Sequence, residues 1–153
     1  MEKEMRRILD ETLCEVLEKQ AFLFAEEIEP GDVPPQSGKM LSARITFAGT
    51  FSGTISLYVT EAMCCEIAAN FLGVDADAPG ISGKAPDALK EILNVICGNF
   101  LTAAAGDGPV FDLTVPQSTD IDNAEWSKIL ATPDIMVYVV DEYAVACHLE
   151  VQQ

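Results

Sequence analysis

The chain has 153 residues, enough for one domain with a sizeable hydrophobic core. Apolar residues make up 49% of it and charged residues 22%, the balance of a globular protein and not of a disordered or fibrous one. A formal net charge of −16 argues against nucleic-acid phosphates as partners and against an anionic membrane surface, and favours a partner that offers a basic group.

The N-terminus, Met1-Glu-Lys-Glu-Met-Arg-Arg7, is charged and leads into an amphipathic pattern with no apolar signal core behind it. No uninterrupted apolar run approaches the ~18 residues of a membrane span, so no membrane insertion is expected. Cys14, Cys64, Cys65, Cys97 and Cys147 are odd in number and form no C-x-x-C pair, which fits a reduced, cytoplasmic protein.

In chain order, Ile8, Leu9, Leu13, Val16, Leu17 and Phe24 recur at helical spacing and predict a first helix over 3–27. The Pro- and Gly-rich stretch Glu29–Gly38 ends it as a loop. Leu41–Phe47 and Thr54–Thr60 alternate apolar with polar residues around Gly49-Thr-Phe-Ser-Gly53 and read as a hairpin. Glu61–Leu72 follows as a short helix closed by Gly73. Asp75–Lys84 is a connection without periodicity, and Pro86 and Asp87 then open a third helix that runs to about Ala105, before Gly106-Asp-Gly-Pro109. Val110–Val115, Asp134–Val140 and Ala144–Val151 read as three further strands. Asp120–Leu130, which holds the only Trp, reads as a loop, a short strand or a helical turn. A helix followed by strands, given twice, predicts an α+β fold: two pseudo-repeated helix-strand-strand halves sharing one antiparallel sheet, with the long helices packed on one face. The whole chain, residues 1–153, forms a single domain in this reading.

Within the third helix one stripe carries chemistry. At about 100° per residue Asp87, Glu91, Asn94 and Gly98 fall within roughly 60° of one another. Leu89, Ile92, Leu93, Ile96 and Phe100 take the opposite, core-facing side. A carboxylate and an amide one turn apart, with glycine a further turn along, suit a helix that reaches into another molecule's reaction centre. E-x-x-N alone is equally an ordinary solvated helix face. Asp87 has a competing role as an acidic residue in a first helical turn, and Gly98 as a relief of packing near Phe100 or the sheet. Glu11, Glu15 and Glu18 repeat the spacing in the first helix, with Glu where the third has Asn.

The other candidates are weaker. His148, the lone histidine, stands beside Cys147 on an apparent strand, where neighbours point to opposite faces and no metal or catalytic set is at hand. Cys64-Cys65 divides between core and boundary of a helix. Gly80-Ile-Ser-Gly83 precedes a helix, yet it follows no clear strand and lacks the spacing of a phosphate loop.

With Asp87-x-x-x-Glu91-x-x-Asn94-x-x-x-Gly98 in a central helix, the hairpin Phe47–Leu57 and a following helix ending Ala69-Asn-Phe-Leu-Gly73, the chain resembles the CheX-like members of the CheC/CheX/FliY family of chemotaxis phosphatases. The resemblance covers most of the chain by order and length, and the last strands by layout only. It implies a CheC-like fold, a homodimer, and dephosphorylation of a CheY-type response regulator phosphorylated on Asp, in chemotaxis or another two-component pathway. It implies that Asn94 orients the attacking water and that Glu91 pairs with the regulator's active-site Lys, with Asp87 and Gly98 at the docked surface. The divalent metal, Mg, would belong to the regulator, so the chain would need no cofactor of its own. The alternative is a non-catalytic domain of the same fold that binds a regulator or a flagellar-switch-like partner.

Overall fold

The computed structural model describes residues 2–152. Its elements run α1 (Glu2–Ala21), β1 (Ala25–Ile28), β2 (Met40–Ala48), β3 (Ser52–Thr60), α2 (Glu61–Leu72), α3 (Ala85–Ala105), β4 (Asp112–Leu113), β5 (Gln117–Ile121), α4 (Asn123–Leu130), β6 (Met136–Val140) and β7 (Tyr143–Gln152). The hairpin alternation of β2 and β3 sets the layers. Leu41, Ala43, Ile45 and Phe47 on β2 and Ile55, Leu57 and Val59 on β3 point to one side and are buried, as the period of two requires. The apolar faces of α1, α2 and α3 cover that side in one continuous core. The opposite side carries a smaller apolar cluster, in which Trp126 of α4 packs with Met40, Ile121, Val137, Ala144 and Ala146.

All strands are antiparallel, in the order β1-β6-β7-β3-β2-β4, with β5 also paired to β2. That order has an internal twofold logic. The halves α1-β1-β2-β3 and α3-β5-β6-β7 meet where β3 pairs β7, and the first strand of each half crosses to the middle strand of the other. The predicted repeat is therefore present, with one more strand per half than expected.

Three boundaries differ from the sequence reading. The first helix stops at Ala21 and not near 27, because Phe22 turns into the left-handed region (φ 57°) and the Leu23 amide bonds back to Leu17, a Schellman-like end without glycine. Residues 25–28 are then strand β1. The strand expected over Val110–Val115 shrinks to Asp112–Leu113, and the main pairing passes to β5. Asp120–Leu130 resolves into the end of β5 and α4, whose first turn is capped by Asp122 accepting from the Glu125 amide at 2.8 Å.

α2 and α3 begin and end as read. Thr60 caps α2 by accepting from the Met63 amide at 3.1 Å, and Gly73 closes it at φ 69°. Pro86 sits in the first turn of α3. The segment Ile81–Ala105 is long and apolar enough to cross a membrane by length and composition; in this fold its apolar side lies in the core, with Leu89, Ile92, Leu93, Ile96 and Phe100 buried. Cys64, Cys97 and Cys147 are buried and free, and burial pushes each thiol up to about 12, so they act as small core hydrophobes.

Glu66, half-buried on α2, stands out among the acids. Burial pushes its carboxyl above the usual range, Asp141 and Glu142 add to the rise, and Tyr143 partly offsets it. Its Oε2 has no hydrogen-bond partner among the described residues. A carboxyl raised on folding favours the folded state most when it is protonated, and that advantage is lost as pH climbs through the folded value. Glu66→Gln should therefore raise Tm relative to wild type at neutral pH, with the gap closing in acid. Thermal melts across that range check it, and a gap independent of pH would show that burial of this charge is not what acts.

Candidate functional site

α3 is held from beneath by its buried side and presents Asp87, Glu91 and Asn94 to solvent, with Gly98 half-exposed behind them. The four predicted site residues thus share one outer stripe, as the helical spacing requires. Asp87 is already engaged: Lys90 Nζ lies 3.3 Å from its Oδ1. Glu91 has no ion pair and Asn94 no side-chain hydrogen bond among the described residues. Three residues of helix separate them by ~4.5 Å along the axis, so a carboxylate and an amide stand side by side, both free to meet a partner.

Gly98 settles one of the alternatives left open by its spacing. A Cβ built there would meet nothing within 4 Å, so the glycine relieves no packing against Phe100 or the sheet. What it does is leave the helix backbone bare on the side of Asn94, where another chain could approach closely.

The repeat of this spacing on α1 is occupied differently. Glu11 accepts from Arg7 Nη1 at 2.6 Å and Glu15 from Lys19 Nζ at 2.8 Å, the i, i+4 pairs of a solvated helix surface. Replacing Glu15 and Glu18 together with Ala should leave any activity of the chain within about twofold. A tenfold loss would assign function to this half as well.

His148 is half-buried with Nδ1 3.7 Å from Glu150, and among the described residues no group of three His, Cys, Asp or Glu side chains could hold a metal ion. Gly80–Gly83 forms part of a short 3-10 turn leading into α3. Phe71 and Leu72, which carry part of the family resemblance but no site role in the sequence reading, close α2 beside the stripe. They are 37% and 57% exposed, and with Ala68, Lys84, Asp87, Ala88 and Glu91 they line a groove of about 260 Å³. Two large apolar residues immediately before a C-terminal helix glycine were the available signal.

The fold has solved counterparts. CheX from Borrelia burgdorferi, solved in a CheX-CheY-BeF3-Mg+2 complex, superposes with a TM-score of 0.67 at 18% identity, covering 96% of this chain and 97% of that one. CheX from Vibrio vulnificus gives a TM-score of 0.68 at 22% identity, over 96% and 97% of the two chains. A CheC-like superfamily protein from Shewanella sp. PV-4 gives 0.69 at 17% identity over the full length of both. A comparison with curated proteins finds no match. A seven-stranded antiparallel sheet with its long helices on one face is thus the fold that the chain shares with these CheC-like structures. The family model for chemotaxis phosphatase CheX matches residues 41–139, and the chain belongs to that family.

Proposed function

We propose that this chain is a phosphatase for a CheY-type response regulator phosphorylated on Asp, and that α3 does the work. The observation that carries the reading is the pair Glu91 and Asn94: exposed, one turn apart, without partners among the described residues, and followed by the bare turn at Gly98. The family is one of chemotaxis phosphatases, and the Borrelia burgdorferi relative was solved with CheY, which supports such a regulator as partner.

The chemistry asks little of the protein beyond position. An amide both donates and accepts hydrogen bonds and stays neutral, so Asn94 holds a water in line with the acyl phosphate. The water oxygen bonds to phosphorus, the bond from phosphorus to the Asp oxygen breaks, and the regulator regains its carboxylate. Phosphoryl transfer has a loose transition state, so positioning supplies most of the available acceleration. Glu91 pairs with the regulator's active-site Lys and sets the register. Mg belongs to the regulator, and the reaction draws on no cofactor of this chain. Asp87, less free because of Lys90, lends negative charge to the docked surface.

Single-turnover loss of phosphate from a phosphorylated CheY-type regulator, with and without the chain, tests the reading. Acceleration is expected; binding without acceleration would leave an interaction domain in its place.

We also propose a cytoplasmic homodimer. Leu113 of the short edge strand β4 and Val110 and Val115 in the chain flanking it are 40%, 84% and 79% exposed, apolar surface of the kind a second chain covers. Light scattering at tens of micromolar should give twice the monomer mass of 16.5 kDa; the monomer mass would refute it.

A further inference from the structure

The groove beside Glu91 has two different surfaces. Its walls are apolar, made by Phe71 and Leu72 at the end of α2 and by Ala68 and Ala88. Its rim carries Asp87 and Glu91, with Lys84 as the third charged group. The end of α2 that carries the two large residues is anchored. Gly73 ends α2 in the left-handed conformation and the Val74 amide returns to Ala69 at 3.0 Å, while the Asn70 side chain donates to the Ala21 carbonyl at the end of α1. The end of α2 that carries Phe71 and Leu72 is thus closed by its own cap and tied to α1, although a large part of both side chains stays in water. Exposed apolar area that is rigid and rimmed by charge is ready for a partner, because little conformational freedom is lost when it is covered.

Resting on the reading of α3 as the helix that faces the regulator, we infer that this groove is the specificity pocket of the interface: it seats an apolar side chain of the regulator's receiver domain that neighbours the Lys taken by Glu91. Charge and position identify the occupant. Glu91 is at once the free carboxylate of the site and part of the groove rim, so a chain that brings a Lys to Glu91 lays its adjoining surface over Phe71 and Leu72. With Asp87 paired to Lys90, Glu91 is the rim carboxylate left to draw a basic group beside that side chain, and the apolar walls select the side chain itself. Asn94 is not among the residues lining the groove, so the pocket sets which regulator docks without taking part in positioning the water.

The test separates binding from turnover. Phe71→Ser and Leu72→Ser should each raise the half-saturating concentration of a phosphorylated CheY-type regulator by about tenfold, while turnover at saturation stays within about twofold. Leu72→Met, which keeps the apolar surface, should stay near wild type. Leu72 is more than half exposed, so its variants keep the proposal testable even if Phe71→Ser unfolds, with circular dichroism as the check. Folded Leu72→Ser with unchanged half-saturation and unchanged turnover overturns the pocket and leaves the phosphatase reading standing. If the wild-type chain binds the phosphorylated regulator without hydrolysing it, and Leu72→Ser weakens that binding in calorimetric titration, the pocket stands and the phosphatase reading falls. A wild-type chain that neither binds nor dephosphorylates the regulator overturns both.

Discussion

Phe47→Ala should cost about 3–5 kcal/mol of folding stability, a large share of the roughly 5–15 kcal/mol that holds a domain folded. Phe47 is fully buried at the end of β2. Its ring lies 5.7 Å from that of Phe51, 6.0 Å from Phe100 and 6.2 Å from Phe111, so truncation opens a cavity that none of three large neighbours can close alone. Phe100 belongs to α3, which ties this cluster to the placement of the candidate site. The ring also lies over Gly53, its cross-strand partner: a Cβ there would come within 2.7 Å of Phe47 Cζ and 2.3 Å of the Glu150 carbonyl oxygen. Gly53→Ala should therefore cost about 1–3 kcal/mol by overpacking. Most of that cost should survive in a Phe47→Leu background, because the closer obstacle is backbone and cannot yield to a smaller side chain. Urea denaturation of the three single variants and the double variant measures both effects. A loss below about 1 kcal/mol for Phe47→Ala would mean that the ring does not anchor the hairpin to α3.

The elements that sequence reasoning recovered are those in which local pattern and global fold agree. The β2–β3 hairpin announces itself by strict alternation, and α2 and α3 carry their own punctuation: Thr60 and Gly73 bound one, Pro86 and Gly106 the other. The stripe on α3 was legible for the same reason, since a helix with a buried side fixes which residues face out.

The misplaced boundaries share a physical cause. α1 ends at a phenylalanine in the left-handed region, a conformation that sequence signals assign to glycine or asparagine. Phe24 therefore counted as a further turn of the helix, although it is 69% exposed. β1 and β5 were hard to see because each pairs with a strand of the other half, and their burial patterns lack alternation. Only the partner strand makes them strands. The groove at Phe71 and Leu72 was hidden in a similar way. Both residues fit an amphipathic α2, and their exposure follows from how α2 meets α3, which spacing along one helix does not encode.

Asn94→Ala should lower the single-turnover rate of regulator dephosphorylation by on the order of 10²-fold or more, with little change in how tightly the phosphorylated regulator binds. Asn94 is exposed and its side chain makes no hydrogen bond among the described residues, so its removal takes nothing from the core and the fold should persist. Alanine deletes both the donor and the acceptor that would hold the water in the proposed mechanism, and no neighbouring amide on the stripe replaces them: the next outward position is Gly98. Glu91→Ala should part from it in kind. In the proposed mechanism it removes the carboxylate that meets the regulator's Lys, so the half-saturating concentration should rise while turnover at saturation is partly recovered. An ion pair across an interface is screened by salt, so raising ionic strength should weaken wild-type binding more than binding by Glu91→Ala, whereas Asn94→Ala should retain the wild-type salt dependence. Single-turnover kinetics at several salt concentrations, with circular dichroism on each variant, separate the two roles. A folded Asn94→Ala that keeps near-wild-type turnover would remove the amide from the chemistry. If wild type then still bound the regulator through Glu91, α3 would be a docking helix and not a catalytic one.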